Sequence, residues 1–281
     1  MNADTKVTFL GGGNMAGALI HGLLRHGVAA SQLSVAEPIA IQRARLQAEF
    51  GIEAVAENDV AARGATMVVL AVKPQQALGV LRELCPTLKA DRPVILSIAA
   101  GLRIADLTAC CPDLAVMRAM PNRPALVGAG VTALYARADI DGAARALAEQ
   151  VCGAVGRTVW VAHESDLDIV TALSGSGPAY FFLLAEHLAA AATAQGLDRS
   201  TAEMLAMQAL RGAGAMVDGQ LDAATQRAAV TSPGGTTAAA LEALAIGGFD
   251  RLVAAALGAA VARGAELAEL GGRREYFVPP E

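Results

Sequence analysis

Hydroxyl groups and exposed amides crowd one short segment, Thr231-Ser232-Pro233-Gly234-Gly235-Thr236-Thr237, set between two alanine-rich stretches of helical spacing. Pro233 and the two glycines break any helix running through. The chain then restarts as the helix-forming TAAALEAL, beginning at Thr236 or Thr237. A helix start carries N–H groups with no partner inside the helix and the positive end of the helix dipole, a combination that suits a carboxylate. The same threonines could serve only as N-caps, and the two uses are compatible.

A second constellation lies near the N-terminus. FLGGGNMAGAL places Gly11, Gly13 and Ala16 in a G-x-G-x-x-A pattern between a β-branched run and a helical one. The first glycine permits a tight turn, the second lets a pyrophosphate approach the backbone, and the small third residue lets helix pack on strand. A turn built for close packing alone is the plainer use of these residues. Glu37 ends the next strand-like run, where an acid holds the ribose hydroxyl of NAD and repels the phosphate of NADP. Arg43 and Arg45 follow and could pair with that phosphate, so the residues leave the two cofactors open. Lys73 is one of three lysines, with Lys6 and Lys89, and it closes the apolar run ATMVVLAV. SIAAG (97–101) and MPN, ending in Asn122, also close strand-like runs, so all should meet at the carboxyl edge of one sheet.

Other machinery is missing from the pattern. Ser174 and Ser176 lack the G-x-S-x-G frame, and none of the four histidines has metal-ligand spacing. Cys85, Cys110, Cys111 and Cys152 form no CxxC, and we expect four reduced, small core residues. No metal is expected.

The elements that must position these groups follow from periodicity. The 281 residues are 54% hydrophobic and 17% charged, enough apolar material for large cores and too much for disorder. Strand-like and helical runs alternate from KVTFL to RTVWVAHE, which predicts a doubly wound parallel sheet. From about Asp166 only helical segments follow, including one from Phe249 to Gly272. The predicted division is a dinucleotide-binding domain over 1–162 and a helical domain over 163–281. Several of those helices lack a polar face and must be covered all round, which predicts self-association through them. A net charge of −5 offers nucleic acid or an anionic membrane no attraction. The N-terminus has no basic leader pattern, and the longest uncharged run, 169–185, is short of a membrane span. We expect a cytoplasmic protein.

Taken together, GGGNMAGAL, AVKP, SIAAG, RAMPN, DIVTALSGSGPAY and VTSPGGTT resemble the pyrroline-5-carboxylate reductase family over essentially the whole chain. The resemblance implies an N-terminal Rossmann-type sheet followed by an all-α dimerisation domain, assembled as a pentamer of dimers. It implies hydride transfer from NADP(H) or NAD(H) to the C=N bond of 1-pyrroline-5-carboxylate, giving L-proline. By motif match, Thr237 would contact the imine nitrogen as the catalytic residue. The amides of Gly235 and Thr236 would take the substrate carboxylate, with Ser232, Gly234 and Glu164 beside it. Leu10, Gly11, Gly12, Gly13, Asn14 and Met15, Ala71, Val72, Lys73 and Pro74, Ala99 and Asn122 would border the cofactor. Asn58 would contact the adenosine ribose or its phosphate. Such a reaction needs a positioned imine rather than acid, base or metal groups.

Two positions depart from the family pattern. Arg123 stands where M-P-N-T-P is common, and Ala229 where some relatives carry a polar side chain. A β-hydroxyacid dehydrogenase would need a lysine in its helical half, and none follows Lys89. A reductase of another cyclic imine and an NAD(P)H-binding redox sensor are the remaining alternatives; a sensor would have no use for the SPGGTT turn.

Overall fold

The computed structural model describes residues 1–217, 219 and 221–271. It divides into two compact units: Met1–Gly175 with residues 261–271, and Ser176–Ala260. Residues 163–175 side with the sheet because Glu164, Asp168 and Ser174 bond to groups of its rim, as described below.

The first unit is built on eight strands: β1 (Val7–Leu10), β2 (Leu33–Ala36), β3 (Glu53–Val55), β4 (Met67–Leu70), β5 (Val94–Ser97), β6 (Val116–Met120), β7 (Gly130–Ala136) and β8 (Gly156–Trp160). Their order is β3-β2-β1-β4-β5-β6-β7-β8, parallel except where β7 runs antiparallel to β6. The all-parallel expectation fails at that point. Only residues 121–129 join β6 to β7, too few for the crossover a parallel return requires. β3 escaped the sequence reading because three residues with a polar first member show no usable periodicity.

Helices cover both faces. α1 (Asn14–Arg25) and α2 (Ala40–Phe50) follow β1 and β2, and α3 (Asn58–Ala62), α4 (Pro74–Asp91) and α5 (Ile104–Cys110) follow β3, β4 and β5. α6 (Gly142–Gly153) precedes β8. Along β1, alternate side chains enter different cores: Val7 and Phe9 one, Leu10 the other, all fully buried. Buried Thr8 is satisfied by Ser34 Oγ at 2.7 Å and Ala61 O at 2.9 Å. The register sets Leu10, Ala36, Leu70 and Ser97 side by side, so four loops leave the sheet at one level. β1 lies at the switch point, since the chain winds outward from it in both directions.

Two cysteines correct the expectation of four thiols. Cys85 in α4 and Cys111 at the end of α5 are joined by a disulfide, with Cα atoms 5.4 Å apart, while Cys110 and Cys152 are free. The two helices are neighbours, a fact that a separation of 26 residues does not reveal.

α7 (Asp166–Val170) continues through a π-helical turn at Thr171–Gly175 into α8 (Gly177–Ala194). This helical stretch, Asp166–Ala194, is long and apolar enough to cross a membrane by length and composition, which the uncharged-run count did not anticipate. Helix continuity through SGSGP makes the difference. The second unit holds α8 and α9 (Arg199–Ala215), joined by a short turn, then α10 (Ala223–Ala229), α11 (Thr236–Ile246) and the first part of α12 (Phe249–Gly271). Gly272, the expected end of that last helix, lies outside the described residues. Small residues such as Ala185, Ala189 and Ala202 are buried in this unit. Phe181, Phe182, Leu183, Leu188, Met204 and Leu252 are exposed. A single copy therefore leaves a broad apolar surface uncovered.

Candidate functional site

The first unit carries the rim predicted for a dinucleotide. Gly11 has φ +96°, and a Cβ there would lie 2.9 Å from the Ala71 carbonyl oxygen, so only glycine fits between the two loops. Gly11 N–H donates to Ala36 O and Ala71 N–H to Leu10 O, tying the turn to both neighbouring strands. Gly13 is the N-cap of α1, makes no side-chain cap bond, and has open space where a Cβ would stand. Gly13 and Asn14 are exposed, so the first amides of a twelve-residue helix face outward at the switch point. That cradle fits a pyrophosphate. Leu10 is fully buried and can offer only its backbone.

Glu37 is 8% exposed at the end of β2. Its Oε2 accepts from Gly12 N–H and its Oε1 from Ile39 N–H, both at 3.0 Å. Asn58 begins α3 on the adjoining loop, and Lys73 is the exposed N-cap of α4. Ala71, Val72 and Pro74 are half-buried in the same turn, and Ala99 is buried in the loop after β5. The structure thus gathers residues 10–15, 37, 58, 71–74 and 99 onto loops at one edge. A groove of about 750 Å³ only begins there: it runs from Gly12–Asn14 down the flank of α1 to Arg25 and past residues 153–156.

Asn122 sits on the rim but is committed to the fold. Its Nδ2 donates to Ser174 O at 3.0 Å, and its Oδ1 accepts from Val131 N–H at 2.9 Å. The side chain anchors the π-helical turn to the sheet, a reason for asparagine different from the expected cofactor contact. Glu164 is likewise engaged. Its Oε1 accepts from Arg118 Nη1 at 2.9 Å and from the Ile104 amide, at the start of α5, at 2.7 Å. Arg103 Nη2 donates to Asp168 Oδ2 and its Nη1 to Glu164 O. Burial pulls the Arg118 guanidinium below its ordinary pKa, and the bond and charge of Glu164 push back. This four-residue ion network was not foreseen. The available signal was one arginine inside the apolar strand LAVMRAM, where an unpaired charge would be prohibitively costly.

The second unit carries the other candidate site. Gly234 adopts φ +69°, and Gly235, at φ −83° and ψ 175°, is the N-cap of α11. Gly235 N–H donates to Ser232 O at 3.1 Å. That amide closes the turn, so it is not the free donor the sequence reading expected. Thr236 and Thr237 occupy the first turn of an eleven-residue helix, where backbone N–H groups have no intrahelical acceptor. Thr237 is half-buried and Ser232 exposed. Among the described residues no group of three or more His, Cys, Asp or Glu could hold a metal.

Comparison with known proteins places both units in one lineage. A family model described as pyrroline-5-carboxylate reductase dimerisation matches residues 164–267, and one described as NADP oxidoreductase coenzyme F420-dependent matches 6–101. The chain is 44% identical over 270 residues to the pyrroline-5-carboxylate reductase of Pseudomonas aeruginosa, spanning 95% of this chain and 98% of that one. It is 41% identical to the enzyme of the same name from Haemophilus influenzae, spanning 94% and 98%. Among solved structures, a pyrroline-5-carboxylate reductase from Coxiella burnetii superposes with a TM-score of 0.90 at 37% identity, covering 94% of this chain and 98% of that one. The pyrroline carboxylate reductase of Plasmodium falciparum, solved with NADP bound, gives 0.77 at 28% identity, covering 94% and 98%. The uncovered apolar helices of the second unit lie within the matched dimerisation segment.

Proposed function

The chain belongs to the pyrroline-5-carboxylate reductase family, and from that premise we propose how its own residues share the work. It reduces 1-pyrroline-5-carboxylate to L-proline, and it self-associates through its C-terminal helices. The near full-length match to a curated reductase carries this reading.

The reductant is a nicotinamide dinucleotide, NADP(H), with NAD(H) taken at the same site; when bound it supplies the hydride that becomes the new C–H bond. The chain supplies placement. The exposed amides at the start of α1 hold the pyrophosphate, Glu37 and Asn58 hold the adenosine end, and Ala71–Pro74 and Ala99 wall the nicotinamide end. Residues 1–162 form the dinucleotide-binding part and 163–281 the substrate-binding and self-association part. In the second part the free amides of Thr236 and Thr237 bind the imino-acid carboxylate, with Ser232, Gly234 and Gly235 shaping the turn. The Thr237 hydroxyl hydrogen-bonds the ring nitrogen and steadies the proton that nitrogen carries as the C=N bond is reduced. No side chain need act as acid or nucleophile, because a protonated imine accepts hydride once it is oriented. Glu164 accepts from the Ile104 amide and so orders the start of α5. A pentamer of dimers in the cytoplasm is the assembly and location proposed.

The decisive assay follows loss of nicotinamide absorbance with 1-pyrroline-5-carboxylate and, in parallel, with its six-membered homologue. Turnover of the first and formation of proline are expected. Turnover of the homologue alone would overturn the substrate assignment.

A further inference from the structure

Three cysteines that the reductase chemistry does not employ meet on one flank of the first unit. Cys85 lies about 16 Å along α4 from Pro74, well beyond the loop that borders the cofactor. Its disulfide to Cys111 brings it to the end of α5, where the neighbouring Cys110 is free. The two bonded residues are not equivalent. Cys111 is fully buried, whereas Cys85 is half-buried and is followed by the exposed Pro86. A thiol arriving from solvent therefore meets Cys85 Sγ and is kept from Cys111 Sγ, and access decides which sulfur is attacked.

Charge favours the same approach. Arg82 and Lys89, three residues before Cys85 and four after it, are exposed and share its face of α4. Two cations there attract a thiolate, the form of a thiol that attacks a disulfide. Burial pushes the Cys110 thiol above its ordinary pKa, and Arg82, hydrogen-bonded to it, pulls it part of the way back. Cys110 thus stays protonated and leaves the attack to a thiol from outside. The fold also keeps the pair together once the bond is open. Leu81, Leu84 and Leu88 of α4 and Leu107 of α5 are buried in the core that takes Cys111, so both helices remain seated. In the cytoplasm proposed above, a disulfide with one accessible sulfur meets reducing thiols continually.

We propose that Cys85–Cys111 is a reversible thiol–disulfide exchange site that takes small acidic thiols at Cys85. The incoming thiolate attacks Cys85 Sγ, the S–S bond breaks, and its electron pair passes to Cys111 Sγ, which takes up a proton. A second thiolate attacks the incoming sulfur of the mixed disulfide. Cys85 leaves as a thiolate and is protonated, and the two small thiols are left joined. Two electrons have then passed from the small thiols to the protein, and their disulfide drives the same steps backwards.

The full-length assembled protein, first treated with oxidised glutathione, would be mixed with reduced glutathione, quenched in acid and mapped by peptide mass. A glutathione adduct on Cys85 is expected, followed by free thiols at 85 and 111 and a Tm lower by roughly 7–14 °C. Returning oxidised glutathione should restore both the bond and the Tm. Cys110→Ser should behave as wild type. The Arg82→Ala, Lys89→Ala double variant should be opened by glutathione at least about threefold more slowly, with a smaller change for uncharged dithiothreitol. A pair that oxidised glutathione does not join, or a bond that neither thiol opens in the folded protein, overturns the proposal. So does an adduct on Cys111, an adduct on Cys110 with the bond intact, or a Tm that does not return. An unchanged glutathione rate in the double variant overturns the preference for acidic thiols.

Discussion

Replacing Glu164 by glutamine removes one negative charge from the ion network while keeping an acceptor for the Ile104 amide. The Arg118 side chain is 5% exposed and Glu164 23%, with 2.9 Å between Nη1 and Oε1. At that distance and an effective dielectric near 20, the bare attraction is about 6 kcal/mol, most of it offset by the cost of desolvating both ions. Removing one partner of a fully buried pair costs about 3–5 kcal/mol, because the other charge is left uncompensated. Here water reaches Glu164 in part, and glutamine still accepts a neutral hydrogen bond. The cost should fall to roughly 2 kcal/mol. For a unit of this size each kcal/mol moves Tm by roughly 2–4 °C, so Glu164→Gln should melt about 4–8 °C lower. Calorimetry gives the shift, and a cycle with Arg118→Met should show coupling above about 1 kcal/mol. The Arg118→Met, Glu164→Leu double variant should melt above Glu164→Gln, since an apolar pair leaves no buried charge. A Glu164→Gln protein that melts within 1 °C of wild type, yet needs far more imine to saturate, would refute the reasoning. Glu164 would then be a substrate ligand and not the counter-ion of Arg118.

Thr237→Ala should lower kcat/KM by roughly 10- to 100-fold, the loss of one hydrogen bond to a charged group, with Tm nearly unchanged; unaltered kinetics would remove Thr237 from the reaction. Gly22→Ala should destabilise by about 1–3 kcal/mol, because its Cβ would lie 2.5 Å from the Ala154 carbonyl oxygen and 2.8 Å from Val155 Cγ1; denaturant unfolding measures it, and an unchanged midpoint contradicts the packing. Reduction of Cys85–Cys111 opens a loop spanning 26 residues and should cost about 3.5 kcal/mol on the chain-entropy account. Thiol titration of the unfolded, unreduced protein should then find two thiols; four would return these cysteines to the reduced state read from the sequence. Burial pushes the Cys152 thiol up to about 12, so almost no thiolate exists at neutral pH. Iodoacetamide should modify it only on unfolding, as peptide mass mapping would show.

The amino-acid sequence by itself determined whatever depends on neighbours along the chain. The β1–turn–α1 unit was legible because Gly11, Gly13 and Ala16 each answer a local steric demand. Glu37 was legible because it ends a strand-like run, and the helix start at Thr236 because Pro233 and two glycines precede it. The apolarity of α8 and α11 over more than one face announced self-association, since no single copy can cover such faces. What the tertiary structure decided involves partners far apart in sequence. The reversal of β7, the Cys85–Cys111 bond, the clamp of Asn122 on Ser174 and the pairing of Arg118 with Glu164 all depend on register and packing between elements. So does the return of residues 261–271 to the first unit. Even within the turn, the loss of the Gly235 amide to Ser232 O followed from its folded geometry rather than from residue types. Periodicity and glycine requirements act over a few residues, whereas satisfying a buried charge or amide needs a partner that only the finished fold brings within 3 Å.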